Sequence, residues 1–380
     1  MMRTERRLRA AVVGVGHLGQ HHARVLSNIP GVEFVGVADT RPEQARMVAE
    51  RTGTRVWDDY RDLLEEVDAV SIAVPTSLHR EVGGAFLARG ISTMVEKPLA
   101  ASLADAEHLV DLAHERGTLL QVGHIERFNP ALSVLDGLGM RPRFIDAERL
   151  ATYTFRSTDV GVVVDLMIHD IDLVLSLVPA EVRSVEAVGV SVFGGHEDIA
   201  NARIEFADGC VATITASRAS FQATRKMRIY GLEGYASLDF GTKQGTLISP
   251  SEQLRRGEVD LEGLDLSQPA AIKERVFGKI LRVDKVQAEG REPLALELED
   301  FIRAARGEAP PRVSGAAALR AMRVADQVLQ SLRTHEWEGI GSAGTSSTAP
   351  SGSGTSHALR GPISWRLGTT RPAQPAPPRP

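Results

Sequence analysis

A chain of 380 residues, 43% of them hydrophobic, is longer than one core organises, because single cores stop growing near roughly 250–300 residues; two domains and an appendage are expected. With 44 Lys and Arg against 49 Asp and Glu, the formal net charge of −5 provides no overall basic field for nucleic acid or anionic lipid. The single cysteine, Cys210, excludes an intrachain disulfide and a thiolate metal cluster, and it suits a reducing compartment.

No run approaches the ~20 apolar residues that span a bilayer. Arg3, Arg6, Arg7 and Arg9 precede an apolar stretch, but Gly14 and Gly16 interrupt it and no small-residue cleavage site follows, so a soluble cytoplasmic protein is expected. Residues 10–15, 34–38, 69–74 and 93–95 are strand-like and almost continuously apolar, while 17–29, 42–51, 77–89 and 103–116 carry helical periodicity. Strands buried on both faces read this way, so residues 1–125 are expected to form an α/β Rossmann domain with a doubly wound parallel sheet.

Past Asn129 and Pro130 the pattern changes. One apolar helix is expected over 162–177, then strands at 183–193, 200–206, 210–217, 226–230 and 236–240, without the long crossovers that parallel pairing needs. Residues 249–291 show no clear period, and helices follow at 294–306 and 316–333. The expectation for 126–335 is therefore an α+β domain built on a large, mostly antiparallel open sheet. Residues 339–380 are rich in Gly, Ser, Thr and Pro and contain no acidic residue, which predicts a disordered tail.

Gly14-Val15-Gly16-His17-Leu18-Gly19 follows the first strand and opens the first helix. In that setting Gly14 permits the tight turn, Gly16 lets the backbone approach a pyrophosphate, and Gly19 allows close packing, with His17 and Leu18 beside the anion at the helix N-terminus. Asp39, at the end of the second strand, is placed to accept hydrogen bonds from an adenosine ribose and to repel a 2′-phosphate. Thr40 and Arg41 flank it, and Arg41 could offset part of that repulsion, so NAD is favoured with NADP possible. Pro75, Thr76 and His79, after the strand at 69–74, would border the nicotinamide ribose, although helix capping by Thr76 or Ser77 also explains this loop. Glu96-Lys97-Pro98 ends the next strand at the ligand-binding edge, where an ammonium can stabilise a developing alkoxide.

Asp165 and His169 lie four residues apart in the apolar helix, hence on one face. Polar groups on such a stripe require partners or a chemical role. His169, with an ordinary pKa near ~6.5, can accept a hydroxyl proton, and Asp165 can orient it or bind the same substrate. No further His or Cys stands at ligand spacing, so no metal is expected. The polar junction from Gln121 to Pro130 suggests substrate contacts by His124, Arg127 and Asn129; a bidentate grip on phosphate by Arg127 and a tie between the domains are equally good readings.

Together, the glycine fingerprint, Glu96-Lys97-Pro98 and Asp165-x-x-x-His169 with Asp172 beyond resemble the Gfo/Idh/MocA oxidoreductase family over about residues 9–333. The resemblance implies NAD(P)-dependent oxidation of a sugar or cyclitol hydroxyl, with Lys97, Asp165 and His169 as the catalytic set. It also implies a homodimer or homotetramer formed through the second domain's sheet. The stretch Gly123-His124-Ile125-Glu126-Arg127-Phe128-Asn129-Pro130 is similar to a branch acting on UDP-linked amino sugars, implying oxidation at C3 of a UDP-N-acetylhexosamine. Only Gly161 remains in the run at 158–164, where many members carry several glycines. Inositol or simple-sugar dehydrogenases, NAD-dependent glycoside hydrolases and non-catalytic NAD-binding regulators share the framework.

Overall fold

A computed structural model describes residues 7–136, 139–153, 160–193, 195–258, 280–288 and 290–335; the tail predicted at 339–380 lies outside them. Strands β1 (Leu8–Val13), β2 (Val32–Ala38), β3 (Arg55–Trp57), β4 (Ala69–Ile72), β5 (Ser92–Glu96) and β6 (Leu120–Gly123) pair in parallel in the order β3-β2-β1-β4-β5-β6. The chain winds outward from β1 in both directions, which leaves a crevice beyond the carboxyl ends of β1 and β4. Helices α1 (Gly19–Leu26) and α2 (Pro42–Thr52) cover one face, α3 (His79–Ala88) and α4 (Leu103–Arg116) the other. Sequence periodicity missed β3 and β6, which have only three and four residues.

The second sheet contains β7 (Pro142–Leu150), β8 (Val182–Val190), β9 (Ile199–Phe206), β10 (Val211–Ser217), β11 (Thr224–Gly231), β12 (Gly234–Asp239), β13 (Gln244–Pro250) and β14 (Leu281–Gln287), in the order β14-β13-β12-β11-β7-β10-β9-β8. Every pairing is antiparallel except β7 with β10. Sequence pattern missed β7, the central strand, because its inward positions run Ile145, Ala147, Arg149: the third is a buried guanidinium rather than an apolar side chain. Exposed, charged β14 at the sheet edge hides for the opposite reason, having almost no buried face.

A π-helical turn, Val163–Met167, runs into α5 (Ile168–Leu177), where one continuous α-helix is expected from sequence. After the single turn α6 (Glu252–Arg255), the next helix among the described residues, α7 (Pro293–Ala305), packs with the first sheet. Its Leu298, Phe301 and Ile302 join Ala10, Val12 and Leu26 in the core beneath β1. Finally, α8 (Gly315–Thr334) serves both sheets: Ala318 and Leu319 enter the core of the first, while Ala321, Val324, Ala325 and Val328 enter that of the second.

The second sheet keeps its other face outward. Cross-strand register there aligns Val211, Phe144, Tyr230, Tyr235, Ile248 and Val283 in one apolar row across six strands.

Candidate active site

At the first crevice, Gly14 has φ of +82°, and a Cβ there would stand 2.7 Å from the carbonyl oxygen of Ala73. A Cβ on Gly19 would meet the Gly14 oxygen at 1.8 Å, so only glycine lets α1 begin this close to the turn. Gly16 faces the open side, where the neighbour of such a Cβ is the flexible tip of Arg41 at 3.3 Å. Asp39 holds the turn from the adjacent strand: Oδ2 accepts the Val15 N–H at 2.8 Å and Oδ1 the Arg41 N–H at 2.9 Å. Gly14, Gly16 and Asp39, with His17, Leu18, Thr40, Arg41 and Pro75, line a cleft of about 750 Å³. The backbone donors, the helix N-terminus and the strand-end carboxylate fit a dinucleotide.

Thr76 starts the short 3₁₀ turn Thr76–Leu78 beside this cleft. His79 has a different place. Its buried ring meets the carbonyl oxygens of Pro98 through Nδ1 at 2.9 Å and of Val74 through Nε2 at 3.0 Å, tying two loops together, and burial lowers its pKa.

A second cavity, of about 740 Å³, is walled by Lys97, Asp165 and His169 together with Glu96, Arg149 and Arg225. Leu18 borders both cavities, which therefore adjoin. Lys97 Nζ donates to the Asp165 carbonyl at 2.9 Å and to its Oδ1 at 3.3 Å. Asp165 stands within the π turn, whose winding is wider than that of the α-helix it leads into. Glu197 fixes the start of that turn, its backbone oxygen accepting from Val162 N–H and its carboxylate from Val163 N–H, each at 3.1 Å.

Behind Lys97, the Glu96 carboxylate accepts the Lys97 N–H at 3.2 Å and meets His22 Nε2 at 3.0 Å, while His22 Nδ1 contacts Ser71 Oγ at 2.8 Å. Burial pushes Glu96 upward, but His22 and the Lys97 N–H outweigh it and leave the carboxyl below its usual range. His169 is held well below the ordinary histidine value, first by burial and then by the Lys97 and Arg149 cations, so its imidazole is neutral and able to accept a proton.

Of the residues expected to contact substrate at the junction, Arg127 reaches Asp172 Oδ1 at 3.5 Å and the Arg312 carbonyl at 3.3 Å. Asn129 donates to Glu126 Oε2 and the Phe240 carbonyl, at 3.0 and 3.1 Å, and accepts from Ala131 N–H. Both act as ties in the junction. His124 is buried with its ring edge-on to His169, centroids 6.3 Å apart.

Sequence reasoning missed the arginines of the cavity wall. Arg149 is fully engaged, with Nε 2.7 Å from Asp170 Oδ2 and Nη1 2.9 Å from Glu126 Oε1, and Arg218 Nε bonds Asp198 Oδ1 at 2.6 Å. Arg225, at the start of β11, keeps 56% of its side chain exposed, 3.7 Å from Glu126. The cluster Arg225, Lys226 and Arg228 at the start of a strand was the available signal.

The two adjoining cavities, one shaped for a dinucleotide and one holding an ammonium and a neutral imidazole, define a dinucleotide-dependent oxidoreductase. Family comparison agrees: residues 8–124 match the oxidoreductase family's NAD-binding Rossmann fold and residues 150–339 its C-terminal alpha/beta domain. The chain belongs to the Gfo/Idh/MocA oxidoreductase family. It is 37% identical over 322 residues to a UDP-N-acetylglucosamine 3-dehydrogenase of Acidithiobacillus ferrooxidans, covering 84% of this chain and 96% of that one. A solved structure of that enzyme superposes with a TM-score of 0.75, at 36% identity over 86% of this chain and 97% of the other. The scyllo-inositol 2-dehydrogenase (NAD(+)) of Bacillus subtilis is 31% identical over 264 residues, 63% of this chain and 75% of its own.

A proton-accepting role for His169 would require the neutral ring, so activity would be lost as pH falls through its lowered pKa. The acid limb of kcat/KM at saturating NAD is expected below the ordinary histidine value of ~6.5; a limb at or above that value in a pH–rate profile would contradict the assignment.

Proposed function

We propose that this chain oxidises the C3 hydroxyl of a UDP-N-acetylhexosamine to a ketone. The observation that carries the reading is that Lys97, Asp165 and His169 wall one cavity, which adjoins the dinucleotide cleft at Leu18. His169 takes the hydroxyl proton, Lys97 stabilises the negative charge growing on that oxygen, and Asp165 holds the ammonium in place. NAD would supply the hydride acceptor for the substrate carbon. Gly14, Gly16, Gly19 and the α1 N-terminus would hold its pyrophosphate and Asp39 its ribose. A 2′-phosphate ~4 Å from Asp39 would be repelled by on the order of 4 kcal/mol per unit charge at an effective dielectric near ~20, which supports NAD over NADP.

His169→Ala and Lys97→Ala should each lower single-turnover NADH formation by ~10² to 10⁴ while NAD still binds. Near wild-type rates in both would refute the roles.

The sugar nucleotide is supported by the near full-length match to the Acidithiobacillus enzyme and by Arg225 at the rim, where a diphosphate would find an exposed guanidinium. Losing a charge-assisted hydrogen bond worth about 1.5–3 kcal/mol should raise KM for a UDP-sugar by on the order of 10- to 100-fold in Arg225→Ala, with kcat nearly unchanged. An unaltered KM would remove Arg225 from the site.

The apolar row on the outer sheet face supports association of identical copies through this face, as a dimer or tetramer. Tyr230, 39% exposed in its centre, is the residue to change: Tyr230→Glu should dissociate the assembly in sedimentation equilibrium, and a monomeric wild-type chain would exclude it.

A further inference from the structure

Behind the catalytic wall lies a group of enclosed polar atoms that the mechanism above leaves unused. Among the described residues, Nδ1 of His169, both ring nitrogens of His124 and Oδ2 of Asp172 have no hydrogen-bond partner. An orphaned buried polar group costs about 1–3 kcal/mol, so a run of them persists only where something satisfies it. The arrangement is directional. His124 stands edge-on to His169, and its Nδ1 is 3.9 Å from Asp172 Oδ2.

The charges around the two rings differ: cations dominate at His169, and both signs meet at His124. His169 faces Lys97, Arg149 and Arg225, all of which oppose a positive charge on its ring. Around His124 are the Asp172 and Glu96 carboxylates as well as Lys97 and Arg127. Glu297 of α7 is enclosed near Asp172, Glu96 and Asp300, and burial among these carboxylates pushes it well above its usual range. Asp172 is the carboxylate that stands by His124, its Oδ2 3.9 Å from Nδ1 while its Oδ1 faces Arg127 at 3.5 Å.

We propose that His124 and Asp172 are positioning residues for His169: Asp172 accepts from Nδ1–H of His124, whose Nε2 accepts, through enclosed water, from Nδ1–H of His169. This rests on the dehydrogenase reading above and deepens it. The relay fixes the tautomer of His169 that leaves its Nε2 lone pair for the substrate hydroxyl, and it links Asp172 to a ring that Lys97, Arg149 and Arg225 hold neutral. No proton needs to travel along it. Neutral His124, lowered by burial, has the one donor and one acceptor nitrogen that the relay requires.

The test uses the full chain labelled with ¹⁵N at histidine, because imidazole nitrogen shifts report the tautomer without turnover. In the resting wild type His169 should carry its proton on Nδ1. In Asp172→Asn and His124→Phe that preference should weaken to a mixture, the acid limb of kcat/KM should move lower still, and kcat should fall about 10- to 100-fold with KM nearly unchanged. A wild-type His169 protonated on Nε2 would overturn the proposal, as would variants that keep the wild-type tautomer and pH profile. Asp172→Asn is nearly isosteric and serves alone where His124→Phe does not fold. Failure of the wild type to form NADH with UDP-sugars would overturn the sugar-nucleotide reading, whereas the ¹⁵N spectrum decides the relay on its own.

Discussion

The contact between Lys97 and Asp165 makes one site out of two sheets. Lys97 is delivered by the carboxyl end of β5, Asp165 by the π turn above the second sheet, and they meet at 2.9 and 3.3 Å although 68 residues separate them in sequence. An ion pair with part of its surface in water adds little to stability. Its importance is geometric, because it brings an ammonium that belongs to the dinucleotide half against a cavity whose imidazole belongs to the other half. Stability of the junction comes from elsewhere, chiefly the apolar side of α8 and the α7 residues under β1.

Arg149, Asp170 and Glu126 form a buried charged group beside this contact. Replacing such a group with well-packed apolar side chains is often neutral or stabilising, so its presence argues weakly for stability. What it does here is directional: Arg149 on β7 is pinned to α5 and to the 3₁₀ turn after β6, and this orients α5, which carries His169, over the sheet. The same guanidinium helps keep His169 neutral, linking the packing of the second sheet to the acid–base state of the cavity.

Much of this was legible in the sequence, for identifiable reasons. Parallel strands buried on both faces are continuously apolar, and a glycine turn between a strand and a helix has few other uses, so the first sheet and its cleft could be read directly. Lys97, Asp165 and His169 could be read because each interrupts an element end or an apolar stripe where polar groups need a purpose. The hidden parts depend on tertiary context. β7 was obscured by inward-facing Arg149, whose burial makes sense only once Asp170 and Glu126 surround it. The π turn leaves no mark on apolar spacing. Polar density between Gln121 and Pro130 reads equally well as ligand contacts and as domain ties, and only folding shows Arg127 and Asn129 bonded to Asp172, Arg312, Phe240 and Glu126.

The continuity of α8 limits how the molecule can move. Leu319 is packed in one core and Val324, less than two turns later, in the other, on a helix of 20 residues with no proline inside it. Swinging one sheet away from the other would draw one of these side chains out of apolar contact or break the helix between them. The cleft is therefore braced like a box with a through-bolt, and exchange of its contents falls to the loops at its mouth, with Leu18 on the partition between the two chambers.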